Sequence, residues 1–175
     1  MKEIKWAVLG CGVIANEMAV ALQKNGKNIY AVGNRTHEKA AAFAEKYGIG
    51  KVYDDFHEMF TDPEIDVIYI TTPHNTHLGF MKEAIANGKH ILVEKSITLN
   101  SDELDEAIAL AKEKGVIIGE AMTIYHMPIY KELKKNSRLR PSRQSQSDHD
   151  ELRQFQRVQH EEPLLQPESR RRRDA

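Results

Sequence analysis

Short apolar segments alternate with helical patterns along the first 120 residues, and this alternation constrains the fold more than any other feature of the sequence. The apolar runs are rich in β-branched residues and too short for helices, so each predicts a buried strand. These runs are Ile4–Leu9, Ile29–Val32, Lys51–Tyr53, Val67–Ile70, Ile91–Val93 and Val116–Ile118. Strands that alternate with helices form βαβ units, and right-handed crossovers then favour an α/β fold with a doubly wound parallel sheet.

Most of the segments between these strands carry apolar residues at helical spacing, and four of them end at glycines. Ile14, Met18 and Leu22 recur every four residues and predict a helix that ends near Gly26. The remaining predicted helices lie within Thr36–Gly48, Asp55–Phe60, Leu78–Gly88, Asn100–Gly115 and Ile129–Lys135.

The turn after the first strand has the pattern G-x-G-x-x-A, from Gly10 to Ala15, and opens the first helix. In this context Gly10 permits a tight turn and Gly12 lets the backbone approach a pyrophosphate. Backbone N–H groups at the helix N-terminus, at Val13 and Ile14, face the phosphate charge. The pattern therefore predicts a dinucleotide site, with an ordinary βα turn as the alternative.

The residues after the second strand indicate which dinucleotide binds. An NAD site has Asp or Glu there to accept hydrogen bonds from the ribose 2′-hydroxyl, whereas this chain has Asn34, Arg35 and Thr36. Arg35 offers a planar pair of donors to a 2′-phosphate, and Thr36 adds a hydroxyl. We therefore predict NADP, with NAD as a second possibility. The alternative for Arg35 is that it stacks on an adenine or lies in solvent.

The loop after Val67–Ile70 is predicted to lie beside the nicotinamide ribose, because ligands sit beyond the carboxyl ends of parallel strands. The predicted cofactor contacts in this loop are Thr71, Thr72, Pro73, Asn75 and His77. Capping of the next helix is the alternative for Asn75 and Thr76. No third ligand with suitable spacing accompanies His74 and His77, so the sequence predicts no metal site.

Glu94 and Lys95 follow the next strand and lie on the same predicted edge of the sheet. A lysine there could exchange a proton with a substrate oxygen during hydride transfer, provided that its pKa falls from about 10.4. An exposed ion pair between the two residues is the alternative. Glu120, Ala121 and Met122 follow the last strand, which puts Met122 at this edge as well.

Taken together, these motifs resemble the Gfo/Idh/MocA oxidoreductase family. The resemblance rests on the glycine loop, T-x-P-x-x-x-H at Thr71–His77, E-K-S at Glu94–Ser96 and E-A-M at Glu120–Met122, and it covers residues 1–135. It looks closest to the dihydrodiol dehydrogenase-like branch. Ser96 stands where the family pattern usually has proline.

The resemblance implies a Rossmann-type dinucleotide-binding domain over residues 1–122 and a link to a second α/β domain over residues 123–135. It implies hydride transfer between the nicotinamide and a sugar, polyol or diol. Lys95 would be the catalytic acid/base, and Glu94 would support the nicotinamide ribose. An intact homologue would form a homo-oligomer.

Composition changes abruptly near residue 136. Residues 1–135 hold all 15 lysines, all ten glycines and a single arginine, whereas residues 136–175 hold nine arginines. The last 40 residues are poor in apolar side chains and are predicted to be disordered. Adjacent arginine codons of the form CGN, read one base forward, encode Gly, Ala, Val or Asp, so a shift of the reading frame would turn an arginine-rich segment without glycine into one that contains it. We therefore expect residues 136–175 to be an out-of-frame tail that replaces the second domain.

Charge and cysteine content exclude several classes of protein. The net charge of −1 predicts no nucleic-acid partner, and no apolar run is long enough to cross a membrane. A lone cysteine and a start without signal-peptide character predict a cytoplasmic protein. Two further hypotheses are a dinucleotide-binding module without catalysis and a truncated product without function.

Overall fold

The computed structural model of the chain describes residues 3–139. The strands are β1 (Trp6–Leu9), β2 (Ile29–Gly33), β3 (Lys51–Tyr53), β4 (Val67–Ile70), β5 (His90–Val93) and β6 (Ile118–Glu120). The helices are α1 (Val13–Lys24), α2 (His37–Tyr47), α3 (Phe56–Thr61), α4 (His77–Ala86), α5 (Ser101–Lys114) and α6 (Pro128–Leu139). Two short 3₁₀ helices cover His74–Thr76 and Thr123–His126.

The six strands form one parallel sheet in the order β3-β2-β1-β4-β5-β6. This order confirms the predicted doubly wound α/β fold. The chain winds outward in one direction from β1 through β2 and β3, and in the other from β4 through β5 and β6. The carboxyl ends of β1 and β4 therefore flank the point where the direction of winding reverses, and a crevice forms there in folds of this kind.

Both faces of the sheet are buried. Leu9 and Ile68 pack in a cluster with Met59, Phe60 and other side chains, whereas the neighbouring strand positions face a second cluster. That second cluster includes Val8, Val32, Tyr69, Ala15 and Phe43. Burial on both faces explains why the strands read as continuous apolar runs rather than as alternating patterns.

The last strand begins two residues later than predicted, at Ile118 instead of Val116. Gly115 adopts a left-handed conformation at the end of α5, and the N–H of Val116 donates to the carbonyl of Ala111. Val116 is thus used to end the helix and does not join the sheet. The register pairs Val93 with Glu120, so Glu120 lies inside β6.

The first strand also begins two residues later than predicted, at Trp6. The N–H of Lys5 donates to the Asp66 carboxylate at 2.9 Å, and Ile4 is half-exposed. The side-chain contact of Asp66 takes the place of a strand hydrogen bond at this position.

The described chain divides into two compact units, one ending at Met122 and the other beginning at Thr123. In the second unit, the rings of Tyr125 and Tyr130 meet edge to face with centroids 5.1 Å apart. Helix α6 runs to Leu139, four residues into the segment predicted to be disordered, and the rest of the predicted out-of-frame tail lies outside the described residues. None of the helices within residues 3–139 is long and apolar enough to cross a membrane.

Candidate functional site

The glycine loop fits into a space that only a glycine can occupy. Gly10 has φ +103°, and its N–H donates to the carbonyl of Gly33 at 2.8 Å. A Cβ atom at Gly10 would lie 2.6 Å from Thr71 Oγ1 and 3.2 Å from the Thr71 carbonyl oxygen. Gly10 is therefore wedged between the ends of β2 and β4, and the loop is held by backbone contacts on both sides.

Gly12, in contrast, borders open space. A Cβ atom at this position would meet nothing within 4 Å, and no side chain caps α1. The first turn of α1 contains no acidic residue, and the side chains of Val13 and Ile14 are exposed. N–H groups in the first turn have no acceptor within a helix, so this end of α1 can accept an anion as large as a pyrophosphate.

Asn16 fastens the loop to α2, a role that the sequence did not suggest. Its amide Nδ2 donates to the Gly12 carbonyl at 2.8 Å. Its Oδ1 accepts from Lys46 Nζ at 2.8 Å and from the Tyr47 hydroxyl at 2.7 Å. The partners on α2 lie about 30 residues away along the chain, so no local pattern could reveal them.

The end of β2 leaves its polar side chains open to solvent. Asn34 is half-buried and its Nδ2 donates to the Thr36 carbonyl at 3.0 Å, whereas Arg35 and Thr36 are exposed. Thr36 occupies the N-cap of α2, but its hydroxyl makes no capping hydrogen bond. Both the guanidinium and the hydroxyl are thus available to a ligand beyond the carboxyl end of the strand.

A second cation lies near the glycine loop. Burial raises the pKa of Cys11 to about 11, and the positive charge of Lys39 acts against that rise. The thiol is therefore protonated at neutral pH and is no nucleophile. Lys39 lies in the first turn of α2, whereas the sequence indicated Arg35 and Thr36 for a phosphate and no second cation.

The loop after β4 is held by threonine hydroxyl groups. Thr71 Oγ1 donates to the Leu9 carbonyl at 3.1 Å, which ties this loop to the end of β1. Thr76 Oγ1 lies 2.8 Å from Thr72 Oγ1 and 2.7 Å from the Pro73 carbonyl. Pro73 and Asn75 are exposed and face solvent at the same edge.

His77 requires a correction, because it was predicted to contact the cofactor and its side chain is fully buried. Its Nε2 lies 2.9 Å from the Thr72 carbonyl, and its Nδ1 lies 3.0 Å from the Ser96 carbonyl. One ring thereby connects the loop after β4 to the loop after β5. The geometry assigns His77 to positioning these loops, since a fully buried ring offers no surface to a ligand.

Glu94 and Lys95 lie directly after β5 with different environments. The Glu94 carboxylate accepts from the Tyr69 hydroxyl and lies 3.3 Å from the N–H of Lys95. The Lys95 side chain is exposed, and within the described part of the chain no carboxylate lies within ion-pair distance of its ammonium group. The ion pair considered as an alternative is therefore not formed there, and Lys95 can reach a ligand.

Glu120 fastens the loop that follows Lys95. Its Oε1 accepts from the N–H of Ile97 at 2.9 Å, and the Ala121 N–H donates to the Val93 carbonyl at 2.8 Å. Met122 follows and is half-buried. The sequence placed Glu120 beyond the last strand, so this anchoring role was not foreseen.

The predicted residues thus occupy one edge of the sheet, at the carboxyl ends of β1, β2, β4, β5 and β6. Three contacts connect neighbouring segments of this edge: Gly10 with Thr71, His77 with Ser96, and Tyr69 with Glu94. Within residues 3–139, no group of three His, Cys, Asp or Glu side chains could hold a metal ion. The arrangement suits an extended ligand that carries phosphates at one end.

Comparisons with known proteins agree with this geometry. Residues 4–122 match the model of the Gfo/Idh/MocA family, described as an oxidoreductase family with an NAD-binding Rossmann fold. The chain is 35% identical over 133 residues to trans-1,2-dihydrobenzene-1,2-diol dehydrogenase of Xenopus tropicalis, covering 74% of this chain and 40% of the relative. It is 31% identical over 116 residues to 1,5-anhydro-D-fructose reductase of Ensifer adhaerens, covering 66% and 35%.

Solved structures are similar over the same region. A probable dehydrogenase from Thermotoga maritima superposes with a TM-score of 0.72 at 27% identity, over 75% of this chain and 40% of that one. A 3-ketoreductase from Actinomadura kijaniata, solved with NADP and TDP-benzene, superposes with a TM-score of 0.71 at 26% identity, over 75% and 41%. The chain spans about 40% of the length of these proteins.

Proposed function

Since this chain belongs to the Gfo/Idh/MocA family of oxidoreductases, we propose that it binds NADP(H) and forms the cofactor-binding part of a dehydrogenase or reductase. The proposed substrate is a sugar, polyol or diol, or the matching carbonyl compound. The observation that carries the proposal is the glycine loop, in which Gly10 is wedged against Thr71 while Gly12 borders open space.

The preference for NADP is argued from charge. No carboxylate occupies position 34, and a carboxylate there would repel a 2′-phosphate. Arg35 and Thr36 are exposed next to position 34, and Lys39 adds a positive charge in the first turn of α2. NADP is also the ligand named with the related 3-ketoreductase structure.

Each remaining side chain at the edge then has a task toward the cofactor. The N–H groups of Val13 and Ile14 would hold the pyrophosphate. The nicotinamide nucleotide would lie along the residues that end β4, β5 and β6, which are Thr71, Thr72, Pro73, Asn75, Glu94, Lys95 and Met122. The bound cofactor supplies the hydride-transfer chemistry.

Lys95 would hold the proton that moves with the hydride. Its exposed ammonium group can donate to a substrate oxygen in reduction and, once deprotonated, accept the hydroxyl proton in oxidation. The chain spans 40% of the relative from Xenopus tropicalis, and substrate contacts from the remaining length of such a protein are part of the same proposal.

Fluorescence titration with NADPH and NADH tests the cofactor proposal. We expect tighter binding of NADPH, and we expect Arg35→Ala to weaken NADPH binding about tenfold while leaving NADH binding unchanged, as for loss of a charge-assisted hydrogen bond. Lys24→Ala removes an exposed cation at the far end of α1 and serves as the matched control. Tighter binding of NADH than of NADPH would refute the argument from Arg35.

A second candidate function is a dinucleotide-binding module without catalysis, which is favoured by the glycine loop, since its open space at Gly12 suits a dinucleotide whether or not a reaction follows. Lys95→Ala separates the two. An enzyme should lose turnover and keep most of its cofactor affinity, whereas a module has no turnover to lose.

A further inference from the structure

Tyr69 is a buried tyrosine whose polar end lies at the candidate site. It is the third residue of β4, and only 3% of its surface is exposed. Its neighbour on β5 is Leu92, and Glu94 is the residue two positions further along. Side chains two positions apart share a face of a sheet, so Glu94 is the diagonal neighbour of Tyr69 and lies within reach of an aromatic ring.

The hydroxyl group of Tyr69 donates to Oε1 of Glu94. Burial and the nearby carboxylates of Glu94 and Glu17 raise the pKa of Tyr69 far above its usual range. The phenol is therefore protonated at neutral pH and can donate to the carboxylate.

The Glu94 carboxylate is held without being neutralised. Its other oxygen, Oε2, lies 3.3 Å from the N–H of Lys95. Within the described residues, no lysine, arginine or histidine side chain lies within 4.0 Å of this carboxylate. Each carboxylate oxygen has two acceptor sites, so the group is fixed by neutral donors while keeping its charge and open acceptor sites.

We propose that Tyr69 is a positioning residue, whose hydroxyl fixes the Glu94 carboxylate so that its open acceptor sites receive the ribose hydroxyl groups of the nicotinamide nucleotide. This inference rests on the proposed function, because it gives Glu94 a ligand to hold. Vicinal hydroxyl groups need acceptors at a defined angle, and a carboxylate on a flexible glutamate provides one only when its rotation is restrained. The hydroxyl of Tyr69 supplies that restraint from inside the sheet.

Two probes distinguish positioning from general support of the fold. NADPH would occupy the whole edge, whereas 2′,5′-ADP would contact only the glycine loop and the end of β2. We expect Tyr69→Phe to weaken NADPH binding about fivefold to tenfold, as for loss of a hydrogen bond to a charged group, and to leave 2′,5′-ADP binding within twofold. Glu94→Gln should give the same pattern, and Tyr69→Phe added to it should cost less than a further twofold.

A matched control is available in the same protein. Tyr53 is also buried and donates to a carboxylate, that of Asp62, at 2.6 Å. Tyr53→Phe should lower the melting temperature and leave the affinities for both probes unchanged. Glu94→Asp gives a second variant that breaks the Tyr69 bond without altering the core, and Tyr69→Phe added to it should have no further effect on NADPH affinity.

The outcomes separate the two proposals. A wild-type chain that binds neither probe overturns the proposed function and this inference together. Wild-type affinity for both probes with NADPH affinity unaffected by Tyr69→Phe overturns the inference alone. Equal loss of NADPH and 2′,5′-ADP affinity in Tyr69→Phe would show a general structural role, which also overturns it.

Discussion

The two halves of the carboxyl edge are built in different ways. At β1 and β2 the loops are held by backbone, since the Gly10 N–H bonds the Gly33 carbonyl and Gly12 borders open space. At β4 and β5 the loops are held by side chains, chiefly His77 between two carbonyl groups and Tyr69 on Glu94. Backbone contacts shape most of the first half, to which the Asn16 side chain adds a bond on the Gly12 carbonyl, and the second half acquires its shape chiefly from side-chain contacts.

The two halves should therefore respond to substitutions in different ways. A change in the backbone-built half acts through space and conformation, so its effect depends on whether a Cβ atom fits. A change in the half at β4 and β5 removes hydrogen-bond partners, so its effect depends on which polar groups are left unpaired. Four predictions follow this division, in order of decreasing effect.

Gly10→Ala should have the largest effect. It forces a side chain onto φ +103° and brings a Cβ atom to 2.6 Å from Thr71 Oγ1, so we expect a loss of roughly 2–5 kcal/mol in the free energy of unfolding. Urea denaturation followed by the fluorescence of Trp6, the single tryptophan, measures it.

Gly12→Ala is the matched comparison for Gly10→Ala. It meets no atom within 4 Å at a φ of −74°, so its stability should change by less than about 1 kcal/mol, while NADPH binding falls because the methyl group occupies ligand space. Equal destabilisation by the two variants would contradict the inferred difference in space between Gly10 and Gly12.

His77→Phe should come next, with a loss of about 2–4 kcal/mol in unfolding free energy. The ring volume is kept, but the fully buried side chain loses the nitrogens that lie 2.9 Å from the Thr72 carbonyl oxygen and 3.0 Å from the Ser96 carbonyl oxygen. His74→Phe alters the exposed ring that meets His77 edge to face, and it should change stability by less than about 0.5 kcal/mol. Thermal melts of both variants at neutral pH decide the matter.

Acid should weaken the side-chain contacts of Asp62, at the end of α3, with β3 before it affects the glycine loop. Burial raises the pKa of Asp62, but hydrogen bonds from Lys51, Tyr53 and the Glu64 N–H outweigh burial and hold it at about 2. A folded-state pKa below the unfolded value of about 3.9 stabilises the fold above pH 4, and that stabilisation is lost as the pH falls from about 4 to 2.

Denaturation at a series of pH values measures this effect. The free energy of unfolding of the wild type should fall by on the order of 2 kcal/mol between about pH 4 and about pH 2. Asp62→Asn should remove most of this dependence, whereas Asp105→Asn, at an exposed position in α5, should retain it. An Asp62→Asn protein with the full acid dependence would contradict the assignment.

Asn16→Ala should have the smallest effect on stability, about 1 kcal/mol, because the lost bonds to the Gly12 carbonyl, Lys46 Nζ and the Tyr47 hydroxyl are partly offset by the better helix propensity of alanine. NADPH affinity should fall by about twofold to threefold as the loop loosens, measured by the same titration. Asn25→Ala removes an equivalent bond, from Asn25 Nδ2 to the Ala21 carbonyl at 2.8 Å, at the other end of α1 and should leave that affinity unchanged.

The same division explains what the sequence could predict. Glycine patterns and apolar runs report backbone requirements, so the order of elements and the loop at Gly10 and Gly12 were predicted correctly. The predicted starts of β1 and β6 were wrong by two residues. The N–H of Lys5 donates to Asp66, which is distant in sequence, and the N–H of Val116 donates to the carbonyl of Ala111 in the preceding helix.

Side-chain roles were harder to predict. His77 stood in a loop motif and was assigned to the cofactor, yet its partners at Thr72 and Ser96 bury it. Tyr69 stood in an apolar run and drew no attention, because nothing in Val67–Ile70 distinguishes a core tyrosine from one with a hydrogen-bonded task. One signal could have found Tyr69. It is a polar residue inside an apolar strand, and a carboxylate follows its partner on the neighbouring strand by two positions.

The packing at the end of β2 leaves no room for an introduced carboxylate at Gly33. A Cβ atom there would lie 2.9 Å from Met59 Sδ and 3.4 Å from a ring carbon of Phe56, so α3 closes that position to any side chain. A carboxylate introduced to favour NAD has to enter at Asn34, where the side chain is half-buried and bonds only the nearby Thr36 carbonyl. For an engineer, Gly33 is closed to variation, whereas Asn34 and the exposed Arg35 and Thr36 are open to it.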